Sequence, residues 1–387
     1  MRNATLAVSI LLALGNASTT LAQDVNGILA ADSEDLHLGT SLDCNHNGVS
    51  DEAEADRPHF SAAVEHLNAL EQSMSNVFDT CSIDFNLDGR PDLVSVSMPG
   101  PNLGYVTLKR NDGGVGLTYV SRMQMTNASP AYVRSADVNA DGIADLVIGD
   151  SSFTKVYVFN GNGDSTFAVP ITLVGDTSNN GLGGIAVGDV DNDGDVDVVA
   201  SCWGVHTVDV WMNNGSGTFG PKSSTAVGFA PRGVAIGDLT GDGLADIATA
   251  NSFETGAPST TSGTVTLLKN TGTGFAAIAT ITMPTDTGPF GVMRPKPQDI
   301  VICDVDHDGD RDLVVSSKDS QRLDLITNLG AETFAAVVEI DAGYYLGSTA
   351  GRILCRDLDG DGWEDLAWCD TNAFCVSLYK NNLGAFE

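Results

Sequence analysis

The 387 residues carry 51 acidic against 19 basic side chains, a formal net charge of −32, which excludes nucleic acid and anionic membrane surfaces as partners because both are gripped through basic patches. A hydrophobic share of 42% is enough to build one large all-β domain or two ordinary ones, which argues against disorder. Gly at 43 positions and an aromatic share of only 6% point to many short strands joined by tight turns, not to packed helices.

Residues 1–22 read as a secretory signal peptide: Arg2 in a short leading region, an apolar run from Leu6 to Leu14, then small residues up to Ala22, with cleavage before Gln23. That run is too short to span a bilayer and no later segment competes with it, so the expected location is secreted, extracellular or periplasmic, without membrane insertion. Residues 23–57 form a leader holding one loop with EF-hand spacing: Asp43, Asn45, Asn47, Val49 through its carbonyl, Asp51 and Glu54.

From residue 58 to 387 the chain repeats. A nine-residue pattern, Asp-x-[Asn/Asp/Thr]-x-Asp-Gly-x-x-Asp, begins at Asp84, Asp137, Asp189, Asp238, Asp304 and Asp357, with separations of 53, 52, 49, 66 and 53 residues. Each interval is the length of one four-stranded propeller blade. An apolar, β-branched run precedes each loop, as in Gly184 to Gly188, and another follows it, as in Leu146 to Ile148. A third run comes next (Lys155 to Phe159, Val208 to Met212, Val265 to Leu268), then a Gly/Asn turn such as Asn213 to Phe219, whose Phe is expected to open the fourth strand.

The chain ends at Phe386 and Glu387, the equivalent point of the last repeat, while Phe60 stands 24 residues before Asp84. The repeats therefore read as circularly cut, with the segment from Phe60 supplying the outer strand of the C-terminal blade and removing an open sheet edge. The fold expected is an all-β propeller of six four-stranded blades, circularly closed by an N-terminal outer strand; a seventh, degenerate blade is the alternative.

Alternating oxygens along a tight loop suit a hard cation that takes six to eight oxygen ligands, and calcium fits best. In order, the ligand sets are Asp84, Asn86, Asp88, Arg90 and Asp92; Asp137, Asn139, Asp141, Ile143 and Asp145; Asp189, Asp191, Asp193, Asp195 and Asp197; Asp238, Thr240, Asp242, Leu244 and Asp246; Asp304, Asp306, Asp308, Asp310 and Asp312; and Asp357, Asp359, Asp361, Trp363 and Asp365. The seventh residue of each loop would ligate through its backbone carbonyl. About six propeller sites, and one more in the leader, would then hold Ca2+. Without a cation the converging carboxylates repel one another, so metal binding should contribute folding free energy directly. Ser95, Ile148, Ala200, Thr249, Val315 and Trp368 occupy position twelve, so these are not EF-hands.

Loops such as Asp189 to Asp197, with turns such as Asn160 to Phe167, resemble the FG-GAP-like, or VCBS, repeats of exported bacterial proteins, related to the propeller of integrin alpha chains. The resemblance covers about Phe60 to Glu387. It implies a calcium-stabilised propeller used for extracellular recognition or adhesion, and family propellers are commonly seven-bladed.

Seven cysteines, an odd number in an exported chain, leave at least one thiol without an internal partner. Cys369 with Cys375 and Cys44 with Cys81 are the candidate pairs, whereas Cys202, Cys303 and Cys355 lie in apolar strand runs and read as small buried hydrophobes.

The longest interval, 66 residues, resolves into two insertions, at Ser252 to Thr264 and Met283 to Gln298, both on the face opposite the acidic loops. They bring Phe253, Glu254, Phe290, Met293, Arg294 and Lys296 to a face expected also to hold Trp203, His206, Tyr344, Tyr345, Arg134, Arg232 and Arg352. The expected ligand residues are Trp203, His206, Arg232, Phe253, Phe290, Arg294, Tyr344, Tyr345 and Arg352, stacking on and pairing with an extracellular glycan or protein. With His only at positions 37, 46, 59, 66, 206 and 307, and no Gly-x-Ser-x-Gly or His-Glu-x-x-His motif, the chain is read as a recognition module and not an enzyme. A carbohydrate-active or phosphoester-cleaving propeller enzyme is the first alternative, and a structural matrix protein the second.

Overall fold

Six separate antiparallel sheets run in chain order through a computed structural model that describes residues 77–100, 103–114, 116–176, 181–253, 262–288, 291–318, 322–342, 350–370 and 375–386. Blade one is β1 (Val77–Ile83), β2 (Asp92–Gly100), β3 (Leu103–Arg110) and β4 (Thr118–Thr126); blade two is β5 (Pro130–Ala136), β6 (Asp145–Asp150), β7 (Lys155–Phe159) and β8 (Ile171–Val174). Blade three is β9 (Gly184–Gly188), β10 (Asp197–Cys202), β11 (Thr207–Trp211) and β12 (Ser223–Ala226); blade four is β13 (Pro231–Gly237), β14 (Asp246–Asn251), β15 (Thr264–Asn270) and β16 (Phe275–Thr282). A small hairpin, β17 (Asp286–Gly288) with β18 (Gly291–Met293), leads to blade five, β19 (Lys296–Cys303), β20 (Asp312–Lys318), β21 (Arg322–Ile326) and β22 (Val338–Ala342). Blade six shows β23 (Ala350–Arg356), β24 (Asp365–Asp370) and β25 (Cys375–Tyr379). This is a six-bladed propeller. The leader loop, the segment at Phe60 expected to close blade six, and Glu254, Phe290, Tyr344 and Tyr345 lie outside the described residues.

Each blade meanders, strand pairing with strand in sequence order, and the first strands of consecutive blades pack side by side. The second strands are the most deeply placed, β6, β10 and β14 being buried at every residue. Sheets covered on both faces explain why these strands read as continuous small and apolar runs rather than alternating ones. The cores lie between blades: Val94, Val96 and Leu108 of blade one meet Val133, Leu146 and Ile148 of blade two. Val147, Val156 and Val158 then meet Ile185, Val198 and Trp211 of blade three.

Register is common to the blades. The ninth residue of every acidic loop opens the second strand and pairs with the residue just before the loop, as in Ile83 with Asp92, Gly188 with Asp197 and Arg356 with Asp365. The turn phenylalanines depart from expectation in three blades: Phe167, Phe219 and Phe334 make isolated bridges to Gly161, Asn213 and Asn328, and the fourth strand starts four residues later. In blades two and three Pro170 and Pro221 fall in that gap, where a missing N–H interrupts the ladder. Phe275 does open β16, and Phe386 bridges Asn381 in blade six as Phe167, Phe219 and Phe334 do in theirs.

Candidate functional site

All six acidic loops adopt one conformation. The fourth residue is left-handed in each (Leu87, Ala140, Asn192, Gly241, His307 and Gly360), and so is the sixth, always Gly. A Cβ would be strained at the sixth position, where φ runs from 82° at Gly89 to 94° at Gly309, so the invariant Gly is a backbone requirement.

Three carboxylates shape each loop. The first accepts the sixth residue's N–H, at 2.8 Å for Gly89 to Asp84, 2.9 Å for Gly194 to Asp189 and 3.0 Å for Gly362 to Asp357. The fifth accepts the seventh residue's N–H, for example Ile143 to Asp141 at 2.8 Å. The ninth is buried and spans two strands: Asp197 accepts Val190 N–H through one oxygen at 2.8 Å and Asn213 N–H through the other at 2.7 Å, and Asp92, Asp145, Asp246, Asp312 and Asp365 repeat this bridge. Burial pushes Asp92, Asp197 and Asp312 up to about 6, against the donated N–H groups.

These loops fit a divalent cation. Carboxylate oxygens of Asp189, Asp191 and Asp197, of Asp304, Asp306 and Asp308, and of Asp357, Asp359 and Asp361 lie within 4.8 Å of one another in each set. Oδ1 of Asp304 is buried with no hydrogen-bond partner among the described residues, the state expected of an oxygen awaiting a ligand. Each carboxylate retains lone pairs beyond its loop hydrogen bonds, and the seventh carbonyl is available, so a bound cation would neutralise the mutual repulsion. The loops are not equivalent. In the sixth, the Lys380 ammonium bonds Asp359 and stands 3.2 Å from Asp361; in the fourth, Lys269 stands 3.2 Å from Asp242. Across loops five and six, His307 stacks on Trp363 at 4.0 Å.

Behind the loops runs a latch that sequence reasoning missed. Asn213, Asn270, Asn328 and Asn381, each at the end of a third strand, donate to the carbonyl of the preceding blade's second loop residue: Val138, Val190, Leu239 and Val305 at 2.6, 2.5, 2.9 and 2.8 Å. Blade two has Gly161 at this point and lacks the latch.

Five residues before each loop, the first strands present Asp79, Tyr132, Gly184, Gly233, Asp299 and Arg352 in turn. The guanidinium of Arg352 is 3.0 Å from Asp299, 3.6 Å from Asp79 and 5.1 Å from the Tyr132 ring, joining blade six to blades five, one and two. Asp79 also takes Arg134 at 2.8 Å and the Val133 N–H at 3.1 Å. Arg352 and Arg134 are thus engaged by carboxylates instead of standing free for a ligand. At the glycine blades backbones replace side chains: a Cβ on Gly183 would lie 2.1 Å from the Pro231 carbonyl.

Of the expected ligand residues, four cluster at blades three and four. Arg232 lies over the Trp203 ring at 5.2 Å. His206, in the same turn as Trp203, stacks on Phe229 at 3.8 Å, and Phe229 stacks on Phe253 at 5.9 Å. All five are partly exposed. Phe229, in the connection from β12 to β13, had no motif to mark it. His206 and Phe253 both hold positive φ, and Nδ1 of His206 accepts the Ala230 N–H at 3.1 Å, which commits that nitrogen to structure. Arg294 lies after the β17–β18 hairpin, partly buried.

Comparison with known proteins places this architecture. The profile described as "FG-GAP-like repeat" matches residues 84–148, 137–200 and 304–368, and that described as "FG-GAP repeat" matches 230–268. No curated protein matches significantly. Among solved structures, a lectin of Agrocybe aegerita that recognises non-reducing terminal N-acetylglucosamine is 21% identical, with a TM-score of 0.53 over 81% of this chain and 79% of that one. A Lactobacillus plantarum protein is 16% identical, TM-score 0.57, over 81% and 84%; BBS1N in complex with ARL6DN is 11% identical, TM-score 0.52, over 81% of each. At these identities the likeness is one of fold.

Proposed function

We propose that this chain, which belongs to the FG-GAP repeat family, is an exported, calcium-loaded propeller that recognises an extracellular glycan or protein without catalysing its conversion. The cation is calcium because the loops offer only hard oxygen donors on a flexible backbone frame. The leader and its EF-hand-like loop, Asp43 to Glu54, belong to the same exported protein.

The observation behind recognition is the aromatic and cationic cluster formed by Trp203 and His206 of the β10–β11 turn, Phe229 of the β12–β13 connection, Arg232 of β13 and Phe253 just after β14. Flat rings suit the apolar faces of sugars, and an adjacent guanidinium suits a carboxylate or sulfate substituent. The fold shared with a lectin agrees with a glycan as the ligand class. Screening the full chain on a glycan array in calcium should yield a bound class, and a Trp203→Ala, Phe253→Ala double variant should weaken it roughly tenfold or more. Undiminished binding by a folded double variant would remove this face from the reading.

A further inference from the structure

Two of the three cysteines that the sequence suggests are buried packing residues face each other across a blade boundary. Cys303 ends β19 of blade five, 1% exposed, and Cys355 lies in β23 of blade six, partly exposed. Their sulfurs and a carboxylate oxygen of Glu364 all lie within 4.8 Å of one another. Both stand as thiols in the structure, against Val305, Ile353 and Trp368.

The repeat explains this meeting and supplies its geometry. Cys303 is the residue immediately before loop five, and Cys355 is two before loop six. One blade earlier the same two positions are Gly237 and Ile302, and a Cβ built on Gly237 would lie 3.6 Å from the Cβ of Ile302. Disulfides have Cβ separations of about 3.5–4.5 Å, so this crossing of first strands is pre-shaped for a bridge wherever both positions are cysteine. In this chain only blades five and six meet that condition, since the other corresponding pairs are Ile83 with Ser135, Ala136 with Val187, Gly188 with Ile236 and Arg356 with Ser82.

We propose that Cys303 and Cys355 form an inter-blade disulfide that fastens blade five to blade six. The electron acceptor is a small or protein disulfide of the exported environment. Cys355, the more accessible thiol, attacks it and displaces one thiol; Cys303 then attacks the mixed disulfide at the Cys355 sulfur and displaces the second. Two cysteine thiols and one external disulfide thus become the Cys303–Cys355 bond and two external thiols, the cysteine protons passing to the leaving sulfurs. A soft-metal site is the competing use of the pair, but it fits less well. Glu364 already accepts the Asp304 N–H at 2.8 Å and lies 3.7 Å from Arg311, and three donors fall one short of a closed thiolate site.

In the cell the oxidant would come with the export proposed above, so the test provides its own. The folded full chain, in calcium, is incubated with oxidised glutathione, then denatured in excess alkylating agent without reductant and digested for mass spectrometry. The expected result is a peptide pair joined through Cys303 and Cys355 that separates on reduction, and a thermal midpoint roughly 5–10 °C higher oxidised than reduced, as closing a loop of about 50 residues implies. A Cys303→Ser, Cys355→Ser double variant should abolish both the linked pair and the reductant sensitivity. Alkylation of both cysteines after oxidation, pairing of either with another cysteine, or one equivalent of zinc released only by chelation would each overturn the proposal. None of these outcomes depends on whether the chain binds a glycan.

Discussion

Replacing Asn328 with Ala tests whether the asparagine latch holds adjacent blades together. The side chain is 1% exposed; its Nδ2 donates to Leu239 of blade four at 2.9 Å and to Arg311 of its own blade at 3.1 Å, while Oδ1 accepts the Gly330 N–H at 3.1 Å. Truncation leaves these backbone groups short of a partner in a space too tight for ready hydration. At about 1–3 kcal/mol for a buried group left unsatisfied, and with Gly330 near enough to the surface to recover a water, the expected cost is about 2–4 kcal/mol. Asn328→Asp should be worse, because it turns a donor between two carbonyls into a third acceptor. The assay is urea unfolding in saturating calcium, with Asn162→Ala in the exposed turn of blade two as the control expected to stay within about 0.5 kcal/mol. If Asn328→Ala also stays within that margin, or Asn328→Asp matches wild type, the latch carries no inter-blade stability and the reasoning fails.

Chelating calcium from the mature chain should lower its thermal midpoint markedly, and restoring about 1 mM calcium should recover it; an unchanged midpoint would reduce the loops to acidic turns. With calcium removed, the midpoint should fall as pH rises from about 4 to about 6. Asp92, Asp197 and Asp312 are held near 6, above 3.8, so the folded state binds more protons than the unfolded state across that window and loses this advantage as they ionise. Saturating calcium, which prefers the ionised loops, should flatten or reverse the slope, and titrating both forms by calorimetry checks the sign. Lys380→Met should tighten calcium binding at loop six by removing the competing ammonium from Asp359 and Asp361, read as a gain of affinity in one class of sites by isothermal calorimetry. Arg352→Met should cost about 3–5 kcal/mol by leaving Asp299 without its cation, while Asp79 keeps Arg134, and adding Asp299→Asn should restore part of it in the same unfolding assay.

The loops and the blade count were legible because both are local: nine residues fix a loop's conformation, and their spacing fixes a blade. The ninth Asp was legible only in part, since its position suggested a ligand but not that it also bridges β10 to the end of β11 through Asn213. Asn213 meets Val138 in another blade, and nothing near either residue signals the contact. The same limit hid the pairing of Arg352 with Asp79, whose positions align only after the repeats are superposed, and the role of Phe229, an aromatic in a short connection. Cys303 and Cys355 read as packing residues because each alone is one; the alternative arises only when strands β19 and β23 are laid side by side.

Arrays of this kind grow by copying a unit and inserting it, and the contacts of Arg352 make such growth costly at one boundary. Its charge is divided between a carboxylate one blade behind and another one blade ahead, across the junction where the last unit meets the first. A copy inserted on either side of blade six would move one of those acids out of reach, and on the blade-five side it would leave Asp299 without its cation in a low-dielectric interior. Blades three and four meet through Gly183 and Gly184, and blades four and five through Gly233, where the backbones sit too close to admit a side chain. Arg352 thus ties the two ends of the repeat array into a ring of fixed membership, because adding a unit beside blade six would separate its guanidinium from Asp299 or from Asp79.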